Sequence, residues 1–250
     1  MSPLRQATAG AVSAALFFGV SLSLGQSLPS SSEAVLADDE VLVESSKNAF
    51  AIDSEVLRST MAVFESYRSM APEAPLILWA IDRAPRSAPL RLWIERGDVV
   101  EPLALGDDRL FSLPASAFAD GARLRANRTK YGLYVSVRIL SPGTTLRLRR
   151  MGDLRLQCRV SWALHPDEIA RYLPRRKRPV YAMEGGACDS ADIPYFPSTE
   201  GVPVQTAEIR GAGVRKSIKV DTTGPNAWAY RAPLHDRSIG DDAIIELTFK

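Results

Sequence analysis

Between residues 75 and 140 the hydrophobic period of the chain is two, and Pro, Gly or Asp interrupts it every few residues. The runs 75–81, 90–94, 99–105, 110–113, 123–127 and 132–140 are short and rich in β-branched or aromatic side chains, with turn signals such as Arg96-Gly97-Asp98 and Gly106-Asp107-Asp108 between them. A period of two sends alternate side chains to opposite faces of a strand, so one face can be buried while the other stays wet. Many such runs with no long helical pattern between them predict a mainly β chain built on an antiparallel β-sandwich. Residues 146–149 and 154–160 continue the alternation and are expected to form a hairpin turning at Met151-Gly152-Asp153. Further strands are expected at 204–209, 217–220, 227–230 and 244–249.

Two helices interrupt this pattern. Asp53 is placed to cap one whose apolar positions Leu57, Met61 and Phe64 recur at helical spacing and which must end before Pro72. A short one is expected near 166–173, with Pro166, Asp167 and Glu168 as its acidic first turn. Upstream, Arg5 precedes a small-residue and apolar run from Ala7 to Leu24 free of acids, and Ser23-Leu24-Gly25 forms a small-x-small pattern before Gln26. That is the form of a secretory signal peptide over 1–25, and it implies a periplasmic or secreted protein. No cysteine follows it to carry a lipid, and no second apolar run reaches membrane length, so a mature chain without a transmembrane span is expected. Residues 26–46 read as a flexible acidic leader, 47–161 as a helix plus β-sandwich domain, and 162–250 as a β-rich C-terminal part that either stands alone or extends the same domain.

Export sets the reading of the two cysteines. In an oxidising compartment Cys158 and Cys188 form a disulfide, here tying the strand expected at 154–160 to a loop at Gly185-Gly186. Neither a metal nor a cofactor is expected. Zinc needs three or four ligands at short spacings, whereas His165 and His235 each stand alone. His165 is assigned a structural role on that ground.

The stretches Leu90-Arg91-Leu92-Trp93-Ile94, Pro102-Leu103, Asp108-Arg109-Leu110-Phe111-Ser112-Leu113-Pro114 and Ala122-Arg123-Leu124-Arg125-Ala126-Asn127 have a shared strand-and-turn rhythm. It resembles that of exported bacterial proteins of unknown function, and of transthyretin-like or carboxypeptidase-regulatory-like sandwiches. The resemblance covers about a quarter of the chain. It implies a β-sandwich that binds or supports something, and it assigns no functional residue.

Charge is the most distinctive feature. Residues 121–180 hold 15 Lys or Arg against 3 Asp or Glu, so 15 − 3 = +12, in a chain whose total is +2. Residues 33–55 hold seven acids and one Lys. Within the basic stretch Arg123 and Arg125, Arg147 and Arg149, and Arg155 and Arg159 alternate with apolar residues, so each pair is expected to share a strand face. If the strands pair, six guanidiniums form one cationic sheet face fitted to an anionic envelope polymer, lipid head groups or an acidic partner protein. The competing expectation is a solvated outer face neutralised by acids from elsewhere, the leader among them. Arg175-Arg176-Lys177-Arg178 reads as an exposed loop tip, and export argues against nucleic acid as its partner.

Catalytic patterns are scarce. There is no Gly-x-Ser-x-Gly elbow and no Ser three residues before a Lys, and a disulfide would consume both thiols. Asp221-Thr222-Thr223-Gly224 is similar to the aspartic protease loop but has one residue too many and no second copy. Gly211-Ala212-Gly213-Val214-Arg215-Lys216-Ser217 lacks the first Gly of a phosphate loop and reads as a hairpin turn. Asn127-Arg128-Thr129 is a glycosylation acceptor pattern. Two function classes stand: a non-catalytic exported binding protein working through the Arg face, and a secreted hydrolase using a carboxylate pair on glycan or peptide, whose acids need no fixed spacing.

Overall fold

A computed structural model of the chain describes residues 48–83, 88–166, 186–193, 195–197, 199, 202–211, 213–223 and 228–250. The expected signal peptide, the leader up to residue 46, the basic cluster at 175–178 and all but the first residue of the helix expected at 166–173 lie outside them. β1 (Ala49–Asp53) leads directly into α1 (Ser54–Ser66). Asp53 holds the N-cap position with extended backbone, but its side chain makes no capping bond and pairs instead with Arg123. Leu57 and Phe64 are buried and Met61 is partly so, as their helical spacing requires.

β2 (Ile77–Asp82), β3 (Leu92–Arg96), β4 (Val99–Leu103), β5 (Leu110–Phe111), β6 (Arg123–Thr129) and β7 (Leu133–Arg138) follow, each within a few residues of its expected place. They form two antiparallel sheets, β1-β6-β3-β4 and β5-β2-β7. The β3–β4 turn is Gly97-Asp98, where Gly97 has φ 57°, a conformation glycine reaches without steric cost. One core takes Phe50, Leu78, Leu92, Ile94, Leu124, Val135 and Val137 from both sheets, and Leu57 and Phe64 from α1.

β8 (Leu148–Arg150) is followed not by a turn and a second strand but by α2 (Met151–Leu164). The hairpin expected at 146–160 is thus corrected: Leu154 to Val160 are helical. The alternation that suggested a strand arises because α2 is buried on nearly every side. Leu156, Val160 and Leu164, spaced by four, face the first core. Met151, Leu154 and Cys158, spaced by three and four, face a second core. Asp153, Arg155, Gln157 and Arg159 between them are buried as well. A helix buried all round has no wet face, so its sequence loses the 3.6-residue contrast.

The second core lies against β10-β9-β13-β8, built from β8, β9 (Val204–Gly211), β10 (Val214–Ile218) and β13 (Ile244–Phe249). The strand expected at 217–220 divides at Lys219 into β10 and β11 (Val220–Asp221), and β11 pairs with β12 (Ala229–Tyr230). Gly211 and Val214 are partners across the β9–β10 hairpin, so the segment resembling a phosphate loop is a turn. The described chain is therefore mainly β, with antiparallel sheets and two helices. The disulfide Cys158–Cys188 is formed, and it ties α2, rather than a strand, to the loop beginning at Gly186. No helix among the described residues is long and apolar enough to cross a membrane.

Candidate functional site

The six arginines expected to share one face are dispersed, and most are neutralised. Arg123, on β6, is exposed and pairs with Asp53 at 2.9 Å. Arg125, also on β6, is 3.5 Å from Glu95. Arg147 is exposed and lies over the Phe249 ring. Arg155 and Arg159 lie on α2 and point inward. The Arg155 guanidinium donates to the carbonyls of Leu234, Asp236 and Ile239 and to Asp241 Oδ1 at 2.5 Å, clamping the loop before β13. Arg159 donates to Asp189 at 2.6 Å beside the disulfide and lies over the Tyr67 ring. β6 and β8 belong to different sheets and two of the arginines are helical, so no single cationic sheet face forms from this set.

Arg149 differs from the rest. In β8 the expected orientation is inverted: Leu148 is 40% exposed and Arg149 only 2%. Its Nη2 donates to Gln157 Oε1 of α2 at 2.7 Å, while its Nε is buried without a partner. It makes no ion pair with any described acid. Two phenols feel its charge. Burial pushes the Tyr195 hydroxyl up to about 12, against the cation and hydrogen bonds to Ser161 and Gln157, which act downward. Tyr195 as a whole is partly exposed, while its hydroxyl is buried. Tyr230 is wholly buried, its hydroxyl has no partner, and burial raises its ionisation well above the ordinary tyrosine value although Arg149 opposes this.

Beside Arg149 a cavity of about 10 Å³ opens between the β2–β7 sheet and α2. Trp79 and Ser136, direct partners across β2 and β7, supply one wall with Arg138. Leu146, Arg149 and Gln157 supply the other. Arg138 lies over the Trp79 ring. Its guanidinium is pushed below the ordinary arginine value chiefly by burial; Asp108 opposes the shift and Arg149 adds to it. Chemically the lining offers two guanidiniums, an amide and a hydroxyl: groups that hold an anionic oxygen, with no base among the described lining residues to activate a nucleophile.

Arg149 was legible in the sequence. Trp79, Ser136, Arg138, Gln157, Tyr195 and Tyr230 were not, because only the packing of α2 against β7 and β8 brings them near it. Arg128 was also missed. Its Nε and Nη2 reach Asp82 within a pair whose side chains are 2% and 3% exposed, and it donates to the carbonyls of Asn127 and Ala88. Two buried carboxylates are committed to structure: Asp82 to Arg128, and Asp153 to Ser141 and Thr144. His165 Nε2 is 2.5 Å from the carbonyl of Val135 and its ring stacks on Tyr134, in keeping with a structural role. Asn127 is a correction. It is 7% exposed, its Oδ1 accepts from the Arg91 amide and its Nδ2 donates to the Pro89 carbonyl, so the folded chain does not present it for glycosylation. Among the described residues no three His, Cys, Asp or Glu gather to hold a metal. No family model matches the chain, and neither a curated protein nor a solved structure matches it.

Proposed function

We propose that this is an exported, non-catalytic, mainly β protein of the cell envelope that binds an anionic ligand or the anionic group of a partner protein, and that the contact is the Arg149 pocket rather than a broad arginine face. The observation that carries the reading is a guanidinium 2% exposed, beside a cavity, with a neutral amide as its hydrogen-bond partner and no acid paired to it among the described residues. Burying a charge without a counter-charge costs several kcal/mol. The other buried arginines among the described residues meet acids, Arg128 at Asp82, Arg155 at Asp241 and Arg159 at Asp189; a ligand anion would complete the environment of this one.

Salt dependence separates the two modes. An exposed six-arginine face would lose its ligand steeply as salt rises, whereas a single buried contact is screened weakly. Retention of the purified chain on a carboxylate-bearing resin should fall only gently with salt. It should disappear in Arg149→Gln and persist in Arg123→Ser and Arg147→Ser. Steep salt dependence that tracks Arg123 and Arg147 would overturn the assignment.

A further inference from the structure

We propose that the free edge of β4 is a self-association surface, to which a second copy of the chain adds its own β4 in antiparallel fashion about a two-fold axis at Val100.

β4 ends its four-stranded sheet, with β3 on one side and no strand on the other among the described residues. Edge strands are normally blunted by charge or by capping of their free backbone. β10 carries the exposed Arg215 and Lys216, and at β8 the Thr145 hydroxyl accepts from the Arg147 and Leu148 amides. β4 instead presents Val99 and Val100, 58% and 51% exposed.

The register says what fits there. Arg96 and Val99 pair across the two-residue turn Gly97-Asp98, so Val99, Glu101 and Leu103 turn their backbone groups to β3 while Val100 and Pro102 turn theirs outward. Pro102 has no N–H to give, which leaves Val100 as the outward residue of β4 that both donates and accepts. An antiparallel copy centred there sets Val100 against Val100 of the second copy, a pair that exchanges both hydrogen bonds, and sets Val99 against Glu101 of the second copy. No like charges stand directly opposite. Arg96 makes no ion pair with a described acid, and the Glu101 carboxylate meets the Ser116 hydroxyl rather than a cation. The two-fold axis brings these two opposite charges, one from each copy, onto the same face on either side of Val99. They are then about 10 Å apart across two strand spacings, which an arginine side chain largely spans. One five-residue edge buries far less than the roughly 1,200 Å² of a stable complex, so the dimer is weak and forms in the submillimolar range.

The test is sedimentation velocity of the full chain at concentrations up to about 1 mM, with cysteine cross-linking as its counterpart. The wild type should shift from monomer toward dimer as concentration rises. Val100→Pro removes the outward N–H and no bond to β3, so it should keep the far-ultraviolet circular dichroism of the wild type and stay monomeric. Under mild oxidation Val100→Cys should form a covalent dimer at least ten-fold faster than Val99→Cys. The two copies of position 100 lie about 5.5 Å apart in this register, within disulfide range, whereas those of position 99 are diagonal neighbours at roughly 8 Å. Should Val100→Pro fail to fold, the cross-linking contrast still decides. A monomer at every concentration, a dimer that survives Val100→Pro, or equal cross-linking of the two cysteine variants would each overturn the assignment.

Discussion

Leu148 and Arg149 are neighbours whose environments are exchanged relative to the usual pattern of a half-buried strand: the leucine faces water and the arginine the interior. The alternation itself is readable in the sequence, but its phase is not, since β8 is a three-residue edge strand whose inward direction is set by where α2 packs. The tyrosines beside Arg149 carry a pH consequence. The folded state holds the Tyr195 proton up to about pH 12, whereas an unfolded tyrosine releases it near 10. Folding stability is therefore complete below about pH 10 and falls as pH rises from there toward 12, by roughly 2 kcal/mol from this group. Urea midpoints measured at pH 9 and 11 should show the loss, and Tyr195→Phe should reduce it. Gly152 marks a close approach: a Cβ there would lie 2.0 Å from the Met70 carbonyl oxygen. Gly152→Ala should cost about 3 kcal/mol by forcing α2 away from that backbone. Gly240→Ala, where a Cβ meets nothing within 4 Å, should change stability by less than about 0.5 kcal/mol.

At the scale of elements, β2 to β7 were legible because each is a short apolar run that ends near a Gly, Pro or Asp turn, with clear alternation of buried and wetter residues in β2 and β7; β1, which leads into α1, was not expected. α2 was misread for the opposite reason. Leu154, Leu156, Cys158 and Val160 alternate with Arg155, Gln157 and Arg159, and all seven are buried, so nothing in the pattern separates a helix between two cores from a half-buried strand. What makes the arginines tolerable inside is the loop before β13, whose carbonyls converge on Arg155. Arg155→Met would leave three carbonyls and Asp241 without their donor and should destabilise the chain by about 3–5 kcal/mol. Arg123→Met, at an exposed pair, should cost at most about 1 kcal/mol, and urea unfolding of the two variants side by side checks the contrast. The Cys158–Cys188 pairing was legible from the expectation of export and the cysteine count alone. Its structural partner was not, because the segment holding Cys158 was read as a strand.

For the molecule as a whole, the ten Lys or Arg that residues 121–166 hold do not translate, among the described residues, into a basic surface of the same size. Acids from both sides of that stretch meet its arginines: Asp53 and Glu95 at β6, Asp82 at Arg128, Asp189 at Arg159, and Asp241 and Asp242 at Arg155 and Arg150. Within the described residues the charge asymmetry visible in the sequence is in large part the trace of long-range pairing, and Arg149 is the buried arginine among them without an ion pair. NMR of the arginine Nε–H groups in the full chain, during titration with sodium benzoate, tests this most directly. The account predicts slow solvent exchange for the Nε–H of Arg128, Arg149, Arg155 and Arg159, fast exchange for Arg123 and Arg147, and a saturable shift of the Arg149 signal while the other five stay in place. A shift appearing first at Arg123 or Arg147, or fast exchange at Arg149, would contradict it.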